Sequence, residues 1–377
     1  MTADVPPRRV LVVSLRFLGD ALLSTPLAHA IRQRWPQCTV DMLVFAGTEG
    51  VFEGNPDVAQ VLAVPETAPA ADMLRRLRSL WRRYDVAVIA QTGTRPFLFG
   101  WAAGRLRIGL VSAERGKSWW KQALLQRYAV FDARGARVIE NQRIAALLGC
   151  DASPRVVAPT ASWGYDELTR ELGFDVRERY AVVHLSPRWR YKQWTRAGWQ
   201  TLLRSLAAQG LRVVITGGPG DAERDYLNRV LQDFAAPGVE RRDGRWTLAQ
   251  TADVLRHAAL YVGPDTATTH LAAACGTPTV ALFGPTDPAI WGPWPARDGA
   301  PYARAAAPQR RGNVLLLQND TFACVPCQLE GCERRRDSRA LCLDQLPAER
   351  VMAAVSTALA YASAGNASAA AAQAVAR

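Results

Sequence analysis

The chain has 377 residues, 49% of them hydrophobic, and carries 46 basic against 34 acidic residues, for a formal net charge of +12. A chain of this length is too long for one ordinary hydrophobic core, so we expect two domains. No run of eighteen apolar residues occurs and the opening MTADVPPRR lacks an apolar signal segment, which argues against a membrane-spanning or secreted protein and for the cytoplasm. The positive charge attracts phosphates, nucleic acid or an anionic leaflet without choosing among them.

The first half of the chain alternates apolar strand patterns with helical ones. In chain order we predict a strand at 10–14, a helix at 21–34, strands at 40–44 and up to residue 64, a helix at 73–83 and a strand at 86–90. Strands separated by helices predict a parallel sheet with helices on both faces. Residues 154–163, rich in Pro, Ala and Ser, are the predicted linker.

Two basic segments, 75–83 and 105–121, lie in this half. The second contains Trp119 and Trp120 between Lys117 and Lys121. A solvated helical face fits these residues, and so does a patch for a membrane surface or an anionic acceptor.

The alternation of strands and helices restarts in the second half. We predict strands at 180–185 and 213–216, helices at 197–209 and after residue 221, a strand–turn–helix–strand segment at 262–283, a strand at 314–317 and a last helix at 347–360. The predicted fold class is therefore α/β, with two consecutive Rossmann-like, doubly wound parallel sheets.

The expected domains are residues 1–160 and 175–361. They are followed by an Ala/Ser-rich tail, 362–377, that we expect to be disordered. Ligands of such sheets lie at the carboxyl ends of the strands, so the loops there are where a site is expected.

The segment 262–285, VGPDTATTHLAAACGTPTVALFGP, joins an apolar strand, a polar turn, a small-residue helix and a second apolar strand. Free amides and partial positive charge at the helix start favour an anion such as a nucleotide diphosphate. Thr266, Thr268 and Thr269 supply more hydroxyls than one helix cap requires. Asp265 fits either a helix cap or an acceptor for sugar hydroxyls.

The loop after the first strand, LRFLGD at 15–20, contains one glycine. It therefore matches neither the three-glycine dinucleotide turn nor a P-loop. Asp20 stands at a strand-to-helix junction, where a carboxylate can be a general base or a helix N-cap. Spacing alone leaves these two roles equal.

Two loops of the second half add charge and flexibility. Arg188, Arg190 and Lys192 lie within five residues after a predicted strand, a density that suits a pyrophosphate. The turn at 216–224 is rich in glycine, so its backbone can approach a nucleoside while an acid bonds ribose hydroxyls. No histidine pair has metal-ligand spacing, and His270 fits a structural role on that ground.

Four of the seven cysteines cluster near the end of the chain. Cys324, Cys327, Cys332 and Cys342 form C-x2-C-x4-C-x9-C, which is compatible with a structural zinc or with disulfides. Short loops also collect structural thiols, and disulfides are disfavoured in a reducing cytoplasm.

At these residues the sequence resembles the bacterial heptosyltransferases of lipopolysaccharide assembly, glycosyltransferase family nine, and is most similar to the heptosyltransferase III branch. The likeness covers nearly the whole chain. Four motifs in order carry it: SLRFLGDALLSTPL at 14–27, HLSPRWRYKQW at 184–194, GGPGDAER at 217–224 and GPDTATTHLAAACGTPTVALFGPTDP at 263–288. The family's C-x-x-C loop is matched at Cys324 and Cys327.

This resemblance implies a GT-B fold, with an N-terminal acceptor-side domain and a C-terminal nucleotide-sugar domain facing across a cleft. It implies an inverting, metal-independent enzyme that moves heptose from ADP-L-glycero-D-manno-heptose to the lipopolysaccharide inner core. The enzyme would require no cofactor and would contact the cytoplasmic face of the inner membrane peripherally.

The resemblance also implies residue roles. Asp20 is the expected catalytic base, with Arg16 and Gly19 on the acceptor side, and Lys192 neutralises the leaving diphosphate. The expected donor-binding residues are Ser186, Arg188, Arg190, Gly217, Gly218, Glu223, Asp265, Thr266, Ala267, Thr268, Thr269 and His270. Among these, Glu223 is expected near the ribose and Asp265 near the heptose. Ala267 stands where the family often has glycine, which puts the turn geometry in question.

Other functions remain compatible with the sequence. The same fold and donor could serve a protein acceptor, as in enzymes that heptosylate autotransporters. A non-enzymatic basic module that binds membrane or nucleic acid is suggested by the charge, but no recognisable module is present and nucleic acid is not expected. A nicotinamide dehydrogenase is disfavoured by the single glycine of the first loop.

Overall fold

The computed structural model describes residues 6–150 and 154–375, and for residues 363–375 the backbone alone. The chain divides into two compact units between Pro159 and Thr160. The domain ranges expected from the sequence, 1–160 and 175–361, remain predictions. Within the described ranges, no helix combines the length and apolar character needed to cross a bilayer.

The first unit is built on a six-stranded sheet in the order β3-β2-β1-β4-β5-β6, with every neighbouring pair parallel. Its strands are β1 (Arg9–Ser14), β2 (Thr39–Phe45), β3 (Gln60–Val64), β4 (Tyr84–Ile89), β5 (Gly104–Val111) and β6 (Arg127–Val130). Its helices are α1 (Leu18–Leu22), α2 (Thr25–Arg34), α3 (Ala70–Leu80), α4 (Thr94–Ala103), α5 (Arg115–Leu124) and α6 (Arg137–Ala146), with a short 3-10 helix at Glu49–Phe52. The apolar run of β1 is buried, as expected for a central strand covered on both faces.

The single helix predicted at 21–34 is wrong, because α1 and α2 are separate helices. Pro26 lies in the first turn of α2. Proline has no amide hydrogen and is tolerated there but not in a helix interior. The hydroxyls of Ser24 and Thr25 donate to the carbonyls of Ala21 and Leu22, which satisfies the last turn of α1.

The second unit contains a seven-stranded sheet in the order β12-β13-β11-β10-β7-β8-β9, parallel except for the β12–β13 edge pair. Its strands are β7 (Tyr180–His184), β8 (Arg212–Thr216), β9 (Val239–Arg241), β10 (Leu260–Pro264), β11 (Thr279–Leu282), β12 (Gln309–Arg311) and β13 (Val314–Leu317). Its helices are α7 (Tyr165–Leu172), α8 (Arg196–Ala208), α9 (Asp221–Leu231), α10 (Leu248–His257), α11 (Ala267–Cys275), α12 (Pro288–Trp291), α13 (Leu341–Asp344) and α14 (Ala348–Val375), with a 3-10 helix at Arg190–Lys192.

The last helix is longer than the one predicted at 347–360. The backbone of α14 continues to Val375, through most of the segment expected to be disordered. Alanine has the highest helix propensity of all residues, which accounts for this continuation. Ala376 and Arg377 lie outside the described residues, and the disorder of the tail stays a prediction.

The strand order determines where ligands can approach each sheet. In the second unit β7 lies between β10 and β8, so the chain reverses its direction of winding at β7 and β10. In the first unit β1 lies between β2 and β4 in the same way. The loops after β7, β10 and β1 therefore occupy the switch points at which open α/β sheets bind ligands.

Candidate functional site

Lys192 and Asp265 form the centre of the site in the second unit. Lys192 ends the 3-10 helix in the loop after β7, and Asp265 directly follows β10. Because β7 and β10 are neighbouring parallel strands, their carboxyl ends bring the two residues to one edge of the sheet. Lys192 Nζ lies 2.6 Å from Asp265 Oδ2. At this distance the Lys192 ammonium and the Asp265 carboxylate form a close ion pair.

The charge state of this pair follows from its surroundings. The Asp265 side chain is 7% exposed and that of Lys192 is 21% exposed. Burial raises the pKa of Asp265, but the Lys192 ammonium, together with His270 and the Thr286 hydroxyl, outweighs burial and holds the pKa below its usual range. Asp265 is therefore ionised at neutral pH. An ammonium has three donors, so Lys192 can hold Asp265 and still reach a phosphate oxygen.

The start of α11 lies beside this pair. Thr266 is the N-cap residue, but its side chain makes no capping hydrogen bond. The first amides of a helix lack intrahelical acceptors, so those of Ala267 and Thr268 are suited to an anion. Ala267 begins the helix without the positive φ that would demand glycine, so its methyl group causes no backbone strain.

Thr269 is placed differently from the other threonines of this turn. Its side chain is fully buried, and its hydroxyl bonds the Tyr261 hydroxyl at 2.9 Å and the Pro264 carbonyl. A Cβ at Gly263 would lie 2.2 Å from the Tyr261 hydroxyl oxygen, so only glycine permits this arrangement. The contacts favour a role for Thr269 in shaping the turn, and the prediction that it binds the donor gains no support from them.

His270 presents an unused polar atom at the same turn. The side chain is 6% exposed, and Nδ1 has no hydrogen-bond partner among the described residues. Burial lowers the pKa of His270 to about 4; the nearby Lys192 charge acts in the same direction and Asp265 opposes it. The imidazole is therefore neutral at pH 7. Because buried polar atoms are almost always bonded, Nδ1 is a candidate contact for a ligand.

Ser186, Gly218 and Glu223 meet at the end of β7 and the turn after β8. Glu223 Oε2 accepts hydrogen bonds from Gly218 N at 2.7 Å and from Ser186 Oγ at 3.2 Å. A Cβ at Gly218 would lie 2.9 Å from Glu223 Oε1, and one at Gly217 would lie 2.8 Å from Leu227 Cδ1. The two glycines let the turn pack closely on α9, and Glu223 stabilises the turn through these hydrogen bonds. This structural role of Glu223 was not predicted from the sequence.

Arg190 and Lys192 begin and end the same 3-10 helix, and Arg188 lies just before it. Arg188 and Arg190 both line a cavity of about 1130 Å³, whose lining also includes Glu223 but not Lys192 or Asp265. The prediction that the three cations converge on one diphosphate stays a prediction.

In the first unit, Asp20 lies in the first turn of α1 and is half-buried. The N-cap of this helix is Phe17, so the interpretation of Asp20 as the N-cap is wrong. Burial lowers the pKa of Arg137, with Arg16 adding to the effect and Asp20 opposing it, which places these three side chains within electrostatic range of one another. No local pattern pointed to Arg137, because nothing in the sequence relates α6 to the loop after β1.

All four clustered cysteines are free thiols, so the disulfide alternative is wrong. Burial, and then the neighbouring Cys327, Cys332 and Cys324, raise the pKa of Cys342 to about 12. Across residues 6–150 and 154–375, no three His, Cys, Asp or Glu side chains are arranged to hold a metal ion. The structural zinc therefore has no geometric support and stays a prediction.

Two doubly wound sheets, with a buried ion pair and an uncapped helix start at the carboxyl edge of the second, define an α/β protein of the Rossmann-like class. The sequence profile of glycosyltransferase family 9 (heptosyltransferase) matches residues 73–314, and the chain belongs to this family. The predicted family and transferase class are confirmed.

Relatives of known name or structure match nearly the full chain. Lipopolysaccharide heptosyltransferase 3 of Escherichia coli is 26% identical over 353 residues, which cover 90% of this chain and 96% of the relative. The solved family 9 glycosyl transferase of Veillonella parvula has a TM-score of 0.75 at 16% identity and covers 94% of this chain and 97% of its own. The E. coli ADP-heptose LPS heptosyltransferase II has a TM-score of 0.71 at 18% identity and covers 94% and 99%. These similarities confirm the GT-B fold class.

Proposed function

We propose that the protein is an inverting glycosyltransferase that moves heptose from ADP-L-glycero-D-manno-heptose to the inner core of lipopolysaccharide. The observation that carries this proposal is the Lys192–Asp265 pair beside the uncapped start of α11. A fixed cation and free amides at one sheet edge suit a diphosphate that gains charge as it leaves. Family membership and the names of the relatives support heptose as the sugar and lipopolysaccharide as the acceptor.

In the proposed reaction an acceptor hydroxyl attacks the anomeric carbon from the face opposite ADP. The bond from that carbon to the diphosphate oxygen breaks, ADP departs with the bonding electrons, and the anomeric configuration inverts. Asp20 accepts the proton of the attacking hydroxyl. Lys192 and the amides of Ala267 and Thr268 stabilise the diphosphate.

We assign Asp265 mainly to orienting Lys192. Its Oδ2 lies against the ammonium, which limits the direct contact with heptose that the sequence suggested. His270 Nδ1 is a second contact for the donor, as a neutral acceptor or donor depending on its tautomer. Glu223 retains Oε1 for the ribose while Oε2 holds the turn.

We further propose that the enzyme works in the cytoplasm, in peripheral contact with the inner membrane. On α5 and β6 the side chains of Trp119, Leu124, Tyr128 and Val130 are exposed. Basic residues, among them Lys117, lie on the same two elements. Exposed aromatic and apolar groups among cations suit an interface with anionic lipid.

The proposal is tested by transfer to defined acceptors. Purified full-length protein is supplied with ADP-heptose and with lipopolysaccharides truncated at successive inner-core positions, and ADP release and the mass of the product are measured. We expect one heptose added to one truncation class, with an unchanged rate in EDTA and little transfer from ADP-glucose. Transfer only to an autotransporter protein would move the acceptor to protein, and turnover with none of these acceptors would refute the proposal.

A further inference from the structure

The segment 322–342 contains the four clustered cysteines and packs beside the loop that carries Lys192. We call it the cysteine segment. Three of its side chains form a small buried apolar cluster: Val325, Ala340 and Cys342. Tyr191, the residue before Lys192, is half-buried and packs against this cluster. Because exposing apolar groups to water is unfavourable, the cluster holds Tyr191 in place.

The main chain joins the same two parts of the protein. Arg190 N donates a hydrogen bond to the carbonyl of Arg336 at 3.2 Å. Arg190 begins the 3-10 helix that Lys192 ends, so this bond holds the helix at its start. The cysteine segment therefore holds both residues that immediately precede Lys192, one through its backbone and the other through its side chain.

Gly331 permits a close approach of the cysteine segment to this helix. Its φ of +86° lies in the left-handed region that favours glycine. A Cβ at this position would lie 3.1 Å from Tyr191 Cβ and would collide with the hydroxyl of Ser338. Replacement of Gly331 by alanine would therefore disturb the contact at Tyr191.

The cysteine segment also reaches the turn beside Asp265. Gln328 N donates a hydrogen bond to the carbonyl of Pro285 at 2.8 Å. Pro285 lies in the turn after β11, and β11 pairs with β10, whose last residue directly precedes Asp265. One segment is thus bonded to the chain near each partner of the Lys192–Asp265 pair.

We propose that the cysteine segment positions Lys192 for the diphosphate, and that Tyr191 is the residue through which it acts. The proposal rests on the function proposed above, in which Lys192 stabilises the leaving ADP. Asp265 orients the ammonium, whereas Tyr191 fixes the backbone from which the Lys192 side chain extends. The ammonium also lies 5.9 Å from the centre of the Tyr191 ring, within range of a cation–π attraction. A cation restrained in this way loses less conformational freedom when it binds an anion.

The first test compares the ADP affinity of variants of Tyr191 and Lys192, by calorimetry of the full-length protein. Tyr191→Ala removes the ring, whereas Tyr191→Phe keeps it. We expect Tyr191→Ala to weaken ADP binding by about tenfold and Tyr191→Phe to stay close to the parent. In a Lys192→Met background Tyr191→Ala should add little further loss, because the group that it positions is gone.

A pair of glycine variants provides a second test that leaves Tyr191 intact. Gly331→Ala should weaken ADP binding as Tyr191→Ala does. The matched control is Gly210→Ala, because Gly210 also has a positive φ, of +77°, and a Cβ there would meet no neighbouring atom. Both changes strain the backbone, so a loss of ADP affinity confined to Gly331→Ala would report the contact with Tyr191.

Parental ADP affinity in Tyr191→Ala, or equal losses in the two glycine variants, would overturn the inference. An undiminished effect of Tyr191→Ala in the Lys192→Met background would also overturn it, since Tyr191 would then act on ADP without Lys192. If ADP binds Lys192→Met too weakly to measure, the glycine pair decides. Circular dichroism shows which variants are folded, and only these are compared.

The same measurements separate this inference from the proposed function. A loss of ADP affinity in Lys192→Met with none in Tyr191→Ala would overturn the inference alone and leave the proposed role of Lys192 standing. Parental ADP affinity in Lys192→Met would refute that role, and the inference with it.

Discussion

Lys192 Nζ and Asp265 Oδ2 lie 2.6 Å apart, and this single ion pair ties the loop after β7 to the turn after β10. Both residues are held by adjacent strands of the sheet. The cation that we assign to the diphosphate is thus oriented before any ligand arrives, which reduces the reorganisation needed during reaction.

Replacing Lys192 with methionine should destabilise the protein as well as weaken ADP binding. The change leaves Asp265 buried and unpaired, and breaking such a pair costs about 3 kcal/mol when one partner is partly exposed. The double variant Lys192→Met with Asp265→Leu should regain much of the free energy of unfolding but not the ADP affinity. Denaturant unfolding and calorimetry measure the two effects.

Lys117→Met is the matched control for this prediction, because Lys117 forms an exposed pair with Glu114. Exposed pairs contribute little, so its unfolding free energy should change by less than about 1 kcal/mol. A normal ADP affinity of the Lys192→Met variant would show that Lys192 does not bind the diphosphate.

His270 should make stability depend on pH between 6.5 and about 4. Burial lowers the pKa of His270 from 6.5 to about 4, so in this window the unfolded chain binds a proton that the folded protein does not. Stability should therefore be complete above pH 6.5 and fall as the pH is lowered, by up to about 3 kcal/mol from this residue. Thermal unfolding at a series of pH values measures the fall.

His270→Gln should flatten this part of the pH profile. Asp265, whose pKa is lowered from 3.8, loses its contribution only at still lower pH, so the two effects fall in separate windows. An unchanged profile in His270→Gln would show that other groups govern acid stability.

Asp20→Asn should abolish most of the transfer without affecting donor binding. Removal of a general base typically lowers the rate by about 10²–10⁴-fold. ADP affinity should stay at the parent value, since Asp20 belongs to the first unit and the proposed donor residues belong to the second. Single-turnover transfer rates and calorimetry provide the measurements.

Asp72→Asn is the control for this variant, because Asp72 is an exposed residue of α3 paired with Arg75. Its transfer rate should match that of the parent. A near-normal rate in Asp20→Asn would exclude Asp20 as the base.

Trp119→Ser should weaken binding to anionic vesicles. The Trp119 side chain is 67% exposed, and its transfer into the lipid interface would be lost in the variant. We expect a reduction of roughly tenfold in vesicle affinity, from the apolar area of one large side chain. Trp81→Ser, which changes an exposed tryptophan of the same unit outside α5 and β6, serves as the comparison in vesicle sedimentation. Equal binding by both variants would contradict the assignment of the patch.

The clustered cysteines should differ in reactivity. Cys324 and Cys332 are exposed and should react first with a thiol reagent, whereas Cys342 is buried with its pKa raised to about 12 and should react last. Metal analysis of protein purified without chelator accompanies this titration. One equivalent of zinc together with protection of all four thiols would restore the zinc site predicted from their spacing.

Much of the fold could be predicted from the sequence, because buried parallel strands are apolar throughout and helices separate them, as in β1, β7 and β10. The break between α1 and α2 was predictable from Pro26, whose missing amide ends one helix and suits the start of the next. The order of the strands was not, since nothing local states that β7 lies beside β10. The Lys192–Asp265 pair depends on that order. Both residues were therefore predicted as site residues from the sequence, but the contact between them was not.

The roles of side chains that depend on burial could not be predicted from the sequence either. Thr266, Thr268 and Thr269 look alike in the chain, yet Thr269 is fully buried and its hydroxyl bonds the Tyr261 hydroxyl at 2.9 Å. The hydrogen bond from Arg190 N to the Arg336 carbonyl likewise joins loops far apart in sequence. Such contacts follow from packing, which a local motif does not encode.

The division of the chain at Pro159 and Thr160 has a consequence for biosynthesis. Each unit is one contiguous segment, and every strand of the first sheet precedes every strand of the second. Ribosomes deliver the chain from its N-terminus, and domains generally fold as units. The first unit can therefore complete its sheet while the second unit is still being translated, and nascent chains stalled beyond the first unit should already resist proteases.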